Sequence, residues 1–151
     1  MAPFAEREYV PGSEPAWVPD APVIVYVPGV WDLLHAGHIN LLWRASMLGD
    51  VLIVGVVSDA GTHAYKARFP VENIEFRIRH LERLAWIHAV VPQATTDPTA
   101  NLERFRPHVL VHGDDWASLR EGQETLDRLG IEWISLPYTP DISTSKLRGV
   151  A

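Results

Sequence analysis

Apolar and polar positions along this chain follow two alternating periods, and the switches between them lay out its elements. Val23-Ile24-Val25-Tyr26-Val27 and Val51-Leu52-Ile53-Val54-Gly55-Val56-Val57 are short, β-branched and without a charge. Such runs predict strands covered on both faces. His88–Pro92, Val109–His112 and Ile131–Leu136 predict three more, the first of them stopped by its proline. Between the first two runs, Ile39, Leu41, Leu42, Ala45 and Leu48 recur with helical spacing from about Gly37 to Leu48. Ile78, Leu81, Leu84 and Ala85 do the same from about Ile74 to Ile87. A short helix capped by Asp97 or Thr99 runs through Phe105, and another runs from about Ala117 to a glycine stop at Gly130. From Ala60 to Val71 the periodicity fades, and that segment reads as a loop.

Strand and helix in such close alternation predict βαβ units, and with them an α/β fold. The expected architecture is a single Rossmann-like, doubly wound domain with a five-stranded parallel sheet, spanning residues 22–151. Residues 1–21 carry Pro3, Pro11, Pro15 and Pro19 without periodicity and read as an extended N-terminal arm. Its Trp17 and Val18 can dock on the body, dock on a second subunit, or stay free. The chain has no cysteine, which removes disulfides, thiolate catalysis and Cys-type zinc sites. A formal charge of −6 argues against a nucleic-acid or membrane-surface binder. With no apolar run of spanning length and no signal-peptide pattern, the expectation is a cytoplasmic protein.

Ligands of open α/β sheets bind outside the carboxyl ends of the strands, and the chain's candidate chemistry gathers there. After the first strand, Gly29-Val30-Trp31-Asp32-Leu33-Leu34-His35-Ala36-Gly37-His38 makes a turn into a helix, with His35 and His38 on its first turn. Unpaired N–H groups make a helix start an anion site, where imidazoles can donate to phosphate, more strongly if protonated. After the second strand, Lys66 and Arg68 place two cations at the expected mouth of the site. Arg77, early in the next helix, reads either as a phosphate fork or as a solvated charge. After the fourth strand, Gly113-Asp114-Asp115-Trp116 offers Asp114 as a ligand for an acceptor or a metal-bound water, or as a helix cap. Near the C-terminus, Ile142-Ser143-Thr144-Ser145-Lys146 forms a second helix start suited to phosphate.

Gly-Val-Trp-Asp-Leu-Leu-His-Ala-Gly-His resembles the signature of the cytidylyltransferase-like nucleotidyltransferases, whose His-x-Gly-His is shared with class I aminoacyl-tRNA synthetases. Gly-Asp-Asp-Trp and Ile-Ser-Thr-Ser-Lys point most closely to the small glycerol-3-phosphate cytidylyltransferases and their phosphoethanolamine and phosphocholine relatives. The heptose-pathway adenylyltransferase domain is a near second. The resemblance covers about residues 23–149 and implies transfer of a nucleotidyl group to a small phosphorylated alcohol, amino-alcohol or phosphonate, with release of pyrophosphate. It implies CTP, or alternatively ATP, as donor, Mg2+ as cofactor, and a homodimer. His35, His38 and Lys66 would be catalytic. Gly29, Val30, Arg68, Arg77, Gly113, Ile142, Ser143 and Thr144 would hold the nucleotide and its phosphates, and Asp32 and Asp114 the acceptor. Two family arginines are replaced here, by Ala85 and Tyr138, and Asp141 stands where the family has glycine. These departures leave open an adenylyltransferase acting on a sugar phosphate, or a nucleotide-binding domain without catalysis.

Overall fold

The computed structural model describes residues 22–113 and 121–137. Its sheet is formed by β1 (Ile24–Gly29), β2 (Val51–Val57), β3 (Ala89–Gln93), β4 (Val109–Gly113) and β5 (Glu132–Leu136). All neighbours pair in parallel, in the order β3-β2-β1-β4-β5. Between them run α1 (Ala36–Ser46), α2 (Asp59–Lys66), α3 (Ile74–Glu82), α4 (Thr99–Phe105) and α5 (Gln123–Leu129).

The uninterrupted apolar runs resolve into two faces, because successive strand side chains point to opposite sides. Val25, Val27, Leu52, Val54, Val56, Val109 and Val111 pack with Leu41, Leu42 and Ala45 of α1 and Leu81 of α3. Tyr26, Ile53 and Leu110 pack on the other face with Leu102 of α4 and Leu126 of α5. The sheet is thus covered on both sides, as a doubly wound α/β domain requires. Gly55 is glycine for a packing reason: a Cβ there would lie 2.0 Å from the Tyr26 hydroxyl. That hydroxyl donates to Gln93 Oε1 at 2.5 Å and accepts from Asn101 Nδ2 at 2.9 Å, and burial pushes its pKa up.

Three local expectations need correction. The segment after β2 is not a loop throughout, since α2 occupies Asp59–Lys66. Its signal is a cap rather than a period: Ser58 Oγ accepts the Gly61 N–H at 2.9 Å, and Ala67 closes the helix with φ 57°. α3 ends at Glu82, and its apolar spacing continues only as turns from Leu81 to Leu84 and from Leu84 to Ile87. Pro92 does not stop β3 but pairs with Val56 within it. β3 is an edge strand, where a missing N–H is tolerated.

β1 pairs with β4 only at Val25↔Val109 and Tyr26↔Leu110. It runs on to Gly29 against β2 alone. Past Tyr26 the two central strands therefore diverge, and a crevice opens where the strand order reverses. This is the place where open α/β sheets bind ligands.

Candidate active site

The turn leaving β1 is held in an unfavourable backbone shape by bonds from distant parts of the chain. Trp31 and Leu33 both adopt left-handed conformations, with φ 59° and 51°. Such positions cost on the order of 1 kcal/mol or more each and persist only where surroundings compel them. Here the Trp31 indole N–H donates to the Gly55 carbonyl at 2.9 Å, and its ring is buried. The indole fills the space beside Gly29, where a Cβ would lie 2.6 Å from it. Gly29's missing side chain therefore accommodates Trp31, and only its backbone is left for a nucleotide.

Asp32 anchors the same turn. Its Oδ2 accepts the Val71 N–H at 2.8 Å and its Oδ1 the Glu72 N–H at 3.0 Å, with the residue 3% exposed. Each oxygen thus carries a backbone N–H, and the residue also lines the cleft beside Lys66 and Arg68. Arg77 departs from expectation. Its side chain is fully buried, donating to the carbonyls of Val30 (2.7 Å), Val57 (2.8 Å) and Glu72 (2.9 Å) and to Asp59 Oδ1 (2.6 Å). It is neither a phosphate fork nor a solvated charge. It ties the ends of β1 and β2 to the starts of α2 and α3.

His35 is the N-cap of α1, and its Nδ1 accepts the N–H of Gly37 at 3.1 Å and, more weakly, of His38 at 3.4 Å. His38 Nδ1 reaches back to the His35 N–H at 3.4 Å, completing a reciprocal cap. The two rings stack with centroids 3.7 Å apart, and Trp31 meets His38 edge-on at 5.4 Å. Because both Nδ1 atoms accept, this network assigns the proton of each neutral ring to Nε2. Burial pushes the His38 pKa down to about 3, assisted by the neighbouring His35 and Lys66 charges. Burial lowers that of His35 as well. At neutral pH both rings are thus uncharged Nε2–H donors at a helix N-terminus, not the imidazolium ions that would donate more strongly.

This depressed pKa fixes a sign for acid stability. Between about pH 6.5 and pH 3 the unfolded chain binds a proton at His38 that the folded chain does not. Stability is expected to fall with decreasing pH by up to about 1.4 kcal/mol per unit across this window, and to be unaffected by this group above it. Urea unfolding at pH 7, 6 and 5 checks it, with His38→Asn expected to show a shallower fall.

Lys66 ends α2 exposed, and its charge is felt at His38. With Arg68, Val30, Asp32 and Thr62 it lines a narrow cleft. Val30 is buried against Val57, and its carbonyl is occupied by Arg77. Gly113 closes β4 and is buried. Asp114, Ile142, Ser143 and Thr144, together with the N-terminal arm, lie outside the described residues. The structure thus stacks His35 and His38 at the start of α1, sets Lys66 within electrostatic reach of His38, and lines one cleft with Lys66 and Arg68. Glu72 is a residue that sequence reasoning missed: its Oε1 accepts the Leu33 N–H at 3.1 Å and its Oε2 bonds His80 Nε2 at 2.8 Å. No local pattern marks it, since its partner Leu33 is 39 residues away.

A family model described as cytidylyltransferase-like matches residues 26–150. The chain belongs to the cytidylyltransferase-like family. Among curated relatives, the bifunctional protein HldE of Koribacter versatilis is 35% identical, over 96% of this chain and 31% of its own length. The ethanolamine-phosphate cytidylyltransferase of Arabidopsis thaliana is 35% identical over 68% of this chain and 25% of its own. The chain spans about a quarter to a third of these relatives. A solved lipopolysaccharide core biosynthesis protein from Thermoplasma volcanium superposes with a TM-score of 0.65 at 25% identity, over 79% of this chain and 98% of that one. The superposition accords with the all-parallel five-stranded sheet. No helix among the described residues is long and apolar enough to cross a membrane.

Proposed function

We propose that this chain transfers a cytidylyl group from CTP to a small phosphorylated alcohol, amino-alcohol or phosphonate. A phosphate or phosphonate oxygen of the acceptor attacks the α-phosphorus, the bond to the bridging oxygen breaks, and pyrophosphate leaves with that oxygen. The observation that carries this reading is the pair of neutral Nε2–H imidazoles at the start of α1, beside the crevice between β1 and β4. Phosphoryl chemistry of this kind needs positioning and stabilisation of charge spread over the phosphate oxygens. Two aligned donors and a helix N-terminus supply both, without a proton having to move. Lys66 and Arg68 hold the triphosphate in this reading, with Ser143 and Thr144 as further phosphate ligands and Asp114 toward the acceptor.

Among the described residues no group of three or more His, Asp or Glu side chains stands close enough to hold a metal ion. In this reading Mg2+ is held mainly by the triphosphate and water, offsetting phosphate charge. A homodimer fits the exposed apolar positions Ile39 and Trp43 on α1 and Met47 at its C-cap, with Trp86 packed edge-on against Trp43. A cytoplasmic setting suits a domain using a soluble nucleotide.

The ethanolamine-phosphate cytidylyltransferase relative supports cytidylyl transfer. The competing reading, an adenylyltransferase acting on a sugar phosphate, is favoured by the similarity to HldE proteins. Calorimetric titration with CTP and with ATP, each with Mg2+, separates them. CTP is expected to bind at least about tenfold more tightly, a difference of about 1.4 kcal/mol. Tighter binding of ATP overturns the cytidylyl assignment in favour of the adenylyl one.

A further inference from the structure

Beside the histidines lies a hollow of about 480 Å³ lined by Leu33, Leu34, Glu72 and His80. Leu34 immediately precedes His35, so the hollow opens next to the start of α1. Its walls are of two kinds. Leu33 and Leu34 are half-buried apolar side chains at one side. At the other, the Glu72 carboxylate is 24% exposed and fixed at both oxygens, by the Leu33 N–H and by His80.

We propose that this hollow seats the tail of the phosphorylated acceptor and that Glu72 selects a tail ending in an ammonium group. The inference rests on the transferase reading above and names the acceptor class for it. A carboxylate is acceptor-only and offers about four lone-pair sites, of which two are used here. A tail ammonium brings three donors and the opposite charge, whereas a hydroxyl brings one donor and no charge. Leu33 and Leu34 offer apolar cover to the methylene stem, while the carboxylate attracts the ammonium. Asp32, the carboxylate nearest in sequence to the histidines, is withdrawn onto the Val71 and Glu72 N–H groups. By holding the Glu72 backbone it acts as a positioning residue for the carboxylate that does face the hollow.

O-phosphoethanolamine and ethyl phosphate differ only by the amino group, so the decisive comparison needs no mutation. Calorimetric titration of the full chain with each, with and without a non-hydrolysable CTP analogue, is expected to show phosphoethanolamine binding about tenfold or more tightly. Equal affinities, or binding of neither, overturn the inference. Glu72→Gln keeps an oxygen for the Leu33 N–H and is expected to shrink the preference to about twofold or less; a preference that survives overturns the role of Glu72. Pyrophosphate release is measured separately. Transfer without an amine preference overturns this inference and keeps the transferase reading. An amine preference without transfer from CTP or ATP keeps the hollow and overturns that reading.

Discussion

His38→Ala is expected to lower the rate of nucleotidyl transfer by about two to three orders of magnitude while the domain stays folded. The size follows from what the ring supplies. Its Nε2–H is a donor held in place by the His35 N–H at Nδ1, by stacking on His35 and by the edge of Trp31. A donor fixed before the reaction costs no reorganisation when charge develops on the phosphate, and alanine leaves that charge to water. The ring is 7% exposed, so its removal also opens a small cavity and destabilises the fold by about 1–3 kcal/mol. Steady-state pyrophosphate release under saturating CTP, beside a thermal melt, separates the two effects. A variant that melts below the wild type yet keeps its full turnover would remove His38 from catalysis. In the proposed reading His38 acts as a neutral ring, so the wild-type rate should not rise as the pH is lowered from 7 toward 5 on account of His38.

Arg77→Ala is expected to be the most destabilising single change described here, at about 3–5 kcal/mol. The guanidinium is entirely buried and satisfies the Val30 and Val57 carbonyls, while Asp59 sits on its other fork. Removing it strands two buried carbonyl oxygens, one just past β1 and one at the end of β2, and leaves Asp59 without its cation. In a domain whose total stability is on the order of 5–15 kcal/mol, such a loss lowers the melting temperature by about 10 °C. Arg77→Lys should fall only slightly short of this, since one ammonium cannot span acceptors arranged around a planar fork. Thermal and urea unfolding read the effect. If Arg77 were a phosphate ligand instead, alanine would spare the melt and weaken nucleotide binding.

As sequence, both residues are polar candidates for a phosphate, His38 on the first turn after a predicted strand and Arg77 early in the helix beyond the next strand and its loop. The histidines proved easier to place because their setting is local. A strand run, a turn and a helical period fix where His35 and His38 fall, and their three-residue spacing brings them together on the first turn of α1. Ser58, Asn73 and Asp97 show how far short-range chemistry reaches: each accepts an N–H no more than three residues ahead. Ser58 even marks a helix that apolar spacing did not reveal.

The sequence by itself determined the five-stranded α/β alternation and the histidine pair at the start of the helix that follows its first strand. These are encoded in a period and in neighbours along the chain. Tertiary structure alone decided which charged groups face the crevice and which hold it together. Arg77 meets Val30 across 47 residues, Asp32 meets Val71 across 39 and Glu72 meets Leu33 across 39. A charged side chain looks the same in sequence whether water or a backbone carbonyl will solvate it. Only the closing of β1 against β2, with α3 packed over β2 and β3, brings those carbonyls and N–H groups within reach. That packing turns Arg77 and Asp32 inward and leaves Glu72 at the rim.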